Sequence, residues 1–366
     1  MARRPRIFAC LTRILLVILA AKYLLVDMIN SLDDVVFTLQ HEHTICSSDK
    51  PKFAAVMFHS EPDQFESVLA DLLPHIHEMW VVRLFLPWRR TDGGRDSQFF
   101  YRSEQRILGM NVVQQLAAKC VHVEVMKHDV SDFPIDHNLN ARWTIDSGPV
   151  IANHFALSRE TYESINEQQM LFFQQDSAFC SGANRTLDSF MHHKYLGAPW
   201  LPGRIQLAGN GKTLTLLYGN GGLSIRSKRF ALFCINLAQY QHDWIEARLG
   251  NGLAEDIYFS RCLFEHFEDK VDIHEARFFA AEEFLDHPNF PFFAVHDPCR
   301  VAESEFAVGC STEGNIRVTQ DLIQKCPESR RVTARCVASC GFGKVDTSWE
   351  DGHSVGHVGK MQVLGI

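Results

Sequence analysis

The chain has 366 residues, of which 46% are hydrophobic and 22% charged, and its formal net charge is −8. This composition supports a sizeable core and excludes global disorder, and the length fits one large α/β domain or two small ones. The acidic balance speaks against nucleic acid as a partner, since a nucleic-acid binder presents a basic face.

Arg3, Arg4 and Arg6 precede an apolar segment from Ile7 to Ile29 that is interrupted by Arg13 and Lys22. The pattern predicts a cytosolic terminus over 1–6 and a signal anchor over 7–29, with Arg13 and Lys22 snorkelling toward the interface. Such a chain is a single-pass type II membrane protein whose remainder lies in the Golgi or ER lumen. A cleaved signal peptide, with Ala20-Ala21 near the cut, gives a secreted chain instead, and a mitochondrial presequence is a third reading. Asn184-Arg185-Thr186 fits the N-glycosylation pattern of a luminal protein. The 11 cysteines suit an oxidising compartment and leave one over, with Cys10 inside the apolar segment the natural odd one. Cys336 and Cys340 are close enough to pair with each other or with Cys310 or Cys326. No cysteine or histidine cluster has zinc-finger spacing.

Residues 30–50 read as a stem. Lys52 to Phe58 reads as a buried strand, Phe65 to Leu73 as a helix, and Trp80 to Leu86 as a second strand stopped by Pro87. Together they make a βαβ unit and imply a parallel sheet. A polar loop follows over 88–101, then a helix over Ser103–Lys119 and a strand over Val121–Met126. Residues 128–148 read as loop, and Val150 to Ile165 as a helix. Leu171-Phe-Phe-Gln-Gln-Asp176 is a buried central strand that ends in one acid, where open α/β sheets bind ligands. No GxGxxG or GxxxxGK[ST] segment is present, so a dinucleotide or P-loop nucleotide is not expected.

After Asp176 come a short strand at Tyr195–Trp200, a glycine-containing loop over 201–218, and Gly219-Asn-Gly-Gly-Leu-Ser-Ile-Arg226. The glycines let backbone approach a ligand closely or turn before a strand. A helix is predicted from Arg226 to Gln239. The acidic pair Glu255-Asp256 opens another helix, where acids also serve as caps. Phe290 to His296 is a short apolar strand that delivers a histidine. Residues 301–366 form an extension expected to be partly disordered, with 341–366 a Gly/Ser/His/Asp-rich tail.

The blocks Phe172–Ser177, Tyr195–Trp200, Gly219–Arg226, Glu255–Ser260 and Phe292–His296, in this order, resemble a GT-A-like glycosyltransferase family largely catalogued as a domain of unknown function. More distantly they resemble β-1,4-galactosyltransferases. The resemblance covers roughly 52–300. It implies one Rossmann-like domain over 51–300 with a mixed central sheet that binds a nucleotide-diphosphate sugar, a UDP-sugar above all. It implies Asp176 and His296 as ligands of a divalent metal, Mn²⁺ or Mg²⁺, and Asp256 or Glu255 as the base that deprotonates a glycan or glycoconjugate hydroxyl. Asn153, Gln175, Asn220, Gly221 and Gly222 shape the donor and acceptor site, and His59, Ser60 and Glu61 hold nucleobase and ribose. Trp200 and Trp244 are candidates for stacking on a sugar. The resemblance implies that, if the hydroxyl attacks directly in line, the product anomer is inverted. The usual Asp-x-Asp is absent: Gln174-Gln175-Asp176 stands in its place. This departure keeps open a catalytically inactive carbohydrate- or partner-binding protein. A metal-dependent hydrolase would need a further carboxylate/His cluster, and none has suitable spacing.

Overall fold

The computed structural model describes residues 46, 50–59, 61–88, 95–130, 148–200, 205–209, 212–216, 219–237, 254–267, 273–281, 292–296 and 322–332. The chain forms two compact units, Met1–Ser47 and Ser48–Ile366. Of the first, only Cys46 is described; it is exposed and disulfide-bonded. The expected anchor at 7–29 and the tail at 341–366 lie outside the described residues. Among the described residues, no helix is long and apolar enough to cross a membrane.

The second unit is built on a mixed α/β sheet. Strand β1 (Phe53–Phe58) leads through helix α1 (Asp63–Leu72) to β2 (Trp80–Trp88), and the two strands pair in parallel from Phe53↔Trp80 onward. Phe65, Val68, Leu69 and Leu72 recur on one face of α1 and are all buried. Pro87 does not stop β2, contrary to the sequence reading: it pairs with His128 of β3 (His122–Asp129). Pairing to β1 ends at Phe58↔Phe85. Beyond that point, among the described residues, no strand pairs with β2 on its β1 side, so the missing proline N–H disturbs no described ladder.

Between β2 and β3 the single predicted helix is two, α2 (Arg95–Leu108) and α3 (Asn111–Ala118), and α2 already begins inside the predicted loop. The break falls at Gly109-Met110, where Met110 is extended (ψ 140°). The helix before the central strand also splits, into α4 (Gly148–Leu157) and α5 (Arg159–Ser164), at an extended Ser158.

Strand β4 (Gln169–Phe173) then returns beside β1, on the side away from β2, again in parallel. Its residues from Met170 to Phe173 are buried, as a strand covered on both faces requires. Because the chain leaves β1 in one direction and β4 lies in the other, the carboxyl ends of β1 and β4 flank a topological switch point. After β4 come a short strand β5 (Ser177–Phe179) and β6 (Tyr195–Gly197). The predicted loop 201–218 contains a hairpin of β7 (Ile205–Gly209) and β8 (Lys212–Leu216). Strand β9 (Leu223–Ser227) inserts antiparallel between β4 and β6, giving the order β3-β2-β1-β4-β9-β6.

Helices α6 (Lys228–Ile235), α7 (Glu255–His266) and α8 (Ile273–Phe279) follow, then strands β10 (Ala280–Ala281) and β11 (Ala294–His296). These last two join β5 in a small sheet of order β10-β11-β5. Phe179 of β5 packs on Phe173 at 5.8 Å and on Phe293 at 5.9 Å, so an apolar seam fixes the small sheet against the large one. Disulfides join Cys234 to Cys262 and Cys180 to Cys326. Cys326 is thereby removed from the candidate partners of Cys336 and Cys340.

Candidate active site

The candidate residues converge at the carboxyl ends of β1 and β4. β4 ends at Phe173, and Gln174 to Ser177 form a turn closed by Ser177 N–H donating to the Gln174 carbonyl at 3.1 Å. Asp176 sits in that turn. Antiparallel pairing of β11 with β5 places His296 opposite Ser177, beside Asp176. The register, rather than any local motif, brings the two together. His296 Nε2 lies 3.3 Å from Asp176 Oδ1 and 3.3 Å from Gln174 Oε1. The histidine is 5% exposed, whereas the Asp176 side chain keeps 36% of its surface.

The turn before β9 roofs this pair. Gly219 has φ 136°, a conformation open to glycine. A Cβ on Gly222 would stand 2.0 Å from His296 Nε2 and 2.6 Å from Gln174 Oε1, and one on Gly221 would stand 1.9 Å from Glu255 Oε1. Two adjacent glycines therefore let one backbone turn touch both the Asp176–His296 pair and the start of α7. Asn220, 3% exposed, holds the turn by accepting from Leu223 N–H at 3.3 Å.

Glu255 and Asp256 open α7, but their surroundings differ. Glu255 is buried. Its carboxylate lies 3.4 Å from Nη2 of Arg226, and its N–H donates to Asn153 Oδ1 at 3.4 Å. Arg226 is 1% exposed and also donates to the Gly221 carbonyl at 2.9 Å, Ser224 Oγ at 2.9 Å and Tyr162 Oη at 3.1 Å. Its guanidinium faces the rings of Phe172 at 4.3 Å and Phe259 at 5.1 Å. Burial raises the phenol of Tyr162 above its ordinary value and that of Tyr195 well above it, so both stay protonated. Glu255 is thus the counter-charge of a buried arginine. Asp256 is only half-buried, and its Oδ1 accepts from Ile257 N–H at 2.7 Å.

Across the switch point, Glu61 N–H donates to His59 Nδ1 at 2.9 Å, which leaves the proton on Nε2. That proton is donated to Gln175 Oε1 at 2.8 Å, linking the end of β1 to the end of β4. Ser60 and Trp244 lie outside the described residues. Trp200 is 2% exposed, so of the two readings open to it, core or sugar platform, it takes the core one.

Sequence reasoning passed over Gln174, Arg226, Asp71 and Arg331. For Arg226 a signal was present: a charge on the same strand face as Ser224, inside an apolar run. Among the described residues no group of three or more His, Cys, Asp or Glu could hold a metal. The available set is one carboxylate, one imidazole and one amide oxygen. A nitrogen facing two oxygens at 3.3 Å is stabilised by either a proton or a cation between them, and this mixed O/N set suits Mn²⁺. One carboxylate, one imidazole and one amide oxygen are donor types that a divalent metal accepts, so the residues present are compatible with one at this position.

By sequence, residues 139–294, less than half the chain, match the family described as a protein of unknown function (DUF5672). No curated protein matches. Among solved structures, the fold is similar to core-mannan synthase A from Aspergillus fumigatus in its Mn/GDP form, at 10% identity and a TM-score of 0.37, covering 60% of this chain and 71% of that one. It is also similar to the glycosyltransferase GlyE from Streptococcus pneumoniae, at 11% identity and a TM-score of 0.36, covering 80% of this chain and 64% of that one. Likeness this loose does not carry function, which has to come from the site.

Proposed function

We propose that the chain is a nucleotide-sugar-dependent glycosyltransferase of GT-A type. The observation that carries this reading is the meeting, on the Asn220-Gly221-Gly222 turn, of an Asp–His pair at a sheet switch point with an acid-led helix start. The nucleobase and ribose of a UDP-sugar would lie along His59, Glu61 and Gln175. Asp176 and His296, with Gln174, would hold Mn²⁺ or Mg²⁺ against the diphosphate. When bound, that metal neutralises charge on the departing diphosphate.

The protein's own groups supply the rest. Arg226 engages Glu255, so Asp256 is the base that takes the proton from the acceptor hydroxyl; such a base contributes about 10²–10⁴-fold. The hydroxyl oxygen attacks the anomeric carbon, the bond to the diphosphate breaks, and attack in line inverts the anomer. Gly221 and Gly222 keep side chains out of the sugar's path. The disulfides favour an oxidising compartment, which supports the expected luminal setting, whether anchored or secreted. The exposed Asn184 would carry a glycan there.

The thin ligand set favours one alternative, an inactive carbohydrate-binding or partner-binding domain. The test is thermal unfolding of the purified full-length chain with nucleotide diphosphates and nucleotide-sugars, with and without Mn²⁺. A ligand at 100 times its Kd adds about 2.7 kcal/mol. A shift that needs both nucleotide and metal, and that Asp176→Ala removes, supports the donor site. Slow donor hydrolysis then separates the enzyme from the inactive domain. No shift with any nucleotide ends the assignment.

A further inference from the structure

Residues 322–332 lie outside the matched family segment and outside the blocks that carry the resemblance, yet they pack on the Asp176 turn. Cys326 is joined to Cys180, three residues beyond Ser177, and the Ser181 N–H donates to Glu328 Oε1 at 3.2 Å. From this anchored segment Arg331 reaches the back of the turn. Nη1 donates to the carbonyl of Gln175 at 2.9 Å, and Nη2 to the carbonyl of Ser177 at 2.6 Å. These are the two residues on either side of Asp176. The same Nη2 also donates to Asp71 Oδ2 of α1 at 2.7 Å, and Nε to that oxygen at 3.2 Å. Burial raises the Asp71 carboxyl above its ordinary value, and the Arg331 guanidinium opposes that rise.

We propose that Arg331 is a positioning residue for the candidate metal site, acting through the backbone on both sides of Asp176. The inference rests on the donor-site reading and assigns a role to a segment that reading did not use. The four-residue turn closes on itself by the Ser177 N–H to the Gln174 carbonyl and by the Gln174 N–H to Ser177 Oγ at 3.2 Å, and neither bond engages the carbonyls of Gln175 and Ser177 that flank the aspartate. The turn is fixed from one side by Ser177 Oγ donating to the Gly222 carbonyl at 3.5 Å. The guanidinium fork fixes it from the other, since its planar donors satisfy two carbonyls and a carboxylate together. A lysine ammonium on a flexible stem keeps the charge but cannot reproduce that fork. Groups that orient a metal ligand in this way typically change metal affinity 10–100-fold.

The test compares full-length wild type with Arg331→Ala and Arg331→Lys under non-reducing conditions. The first readout is amide hydrogen exchange without ligand. Exchange over 174–177 should speed by about tenfold or more in both variants, while β1 and β2 keep their protection. Arg331→Lys retains the pairing with Asp71 and serves if Arg331→Ala does not fold. The second readout is Mn²⁺-dependent nucleotide affinity, which should weaken about 10–100-fold. In an Asp176→Asn background, adding Arg331→Ala should cost nothing more; an additive loss marks a general structural role and overturns the proposal. Unchanged exchange over 174–177 also overturns it, whatever the wild type binds. Wild-type protein that binds no nucleotide with Mn²⁺ overturns the donor-site reading instead, and the exchange result still decides whether Arg331 holds the turn.

Discussion

A single methyl group at residue 222 is enough to test the geometry of the site. Gly222→Ala puts a Cβ 2.0 Å from His296 Nε2, so the ring must turn away from Asp176. Mn²⁺-dependent nucleotide affinity should fall more than tenfold, measured by calorimetry, and unfolding without ligand should weaken by about 1–3 kcal/mol, because the ring that must yield is buried. The two acids of α7 should part company. Asp256→Asn should lower kcat by about 10²–10⁴-fold with donor binding intact. Glu255→Ala should instead lower stability by about 3 kcal/mol in urea unfolding, because it leaves a buried guanidinium without its counter-charge. Asp176, His296 and the acidic pair were legible in the sequence because each ends an apolar strand or opens a helix. Which acid is engaged was not legible, since that depends on Arg226, 29 residues away along the chain and brought alongside by the β9 register. Gln174 and Arg331 were hidden for the same reason: their contacts cross 122 and 156 residues.

Elements were legible where one period dominated, as in α1 with its apolar face or in the central β4. They were misread where a local signal was overridden or overlooked. Pro87 predicts a stop, yet among the described residues the β1 side of β2 is unpaired there and accepts it. The β7–β8 hairpin carried its own sign, Asn210-Gly211 between two strand-like runs, which is the strongest short-range hairpin signal a sequence offers. The breaks at Gly109-Met110 and Ser158 are invisible to a helical period that continues through them. The pairing of α6 with α7 makes a separate prediction. The Cys234–Cys262 bridge closes a separation of 28 residues. A double Cys→Ala variant should lose about 3–4 kcal/mol of unfolding free energy by the chain-entropy relation, read from the urea midpoint. Tyr258, donating to the Cys234 carbonyl at 2.7 Å, keeps the two helices in register without the bridge.

Across the molecule, the fold class could be read from the order of strands and helices, but the insertion of β9 and the small sheet could not, because antiparallel returns leave no mark on hydrophobic period. His75, which packs against the residue that leads into β11, contributes to the response to acid. His75 packs its ring on Phe293 at 4.9 Å, and burial lowers its pKa from the ordinary 6.5; Lys119 adds to this, while Glu328 and the Phe179 backbone oppose it. A histidine held neutral in the fold but protonated when unfolded contributes stability that is complete above the unfolded value. That contribution is lost as pH falls through the depressed folded value. The urea midpoint should therefore drop between pH 7 and pH 5, and drop less in His75→Gln. The long separations in this region have a consequence for synthesis. Ser177 leaves the ribosome 154 residues before Arg331. The first βαβ units can fold during translation, but the aspartate turn waits for its histidine and then for its arginine. On the proposed reading, a chain truncated before Arg331 lacks the guanidinium contacts on both sides of Asp176, and the site it carries is held less firmly than in the longer product.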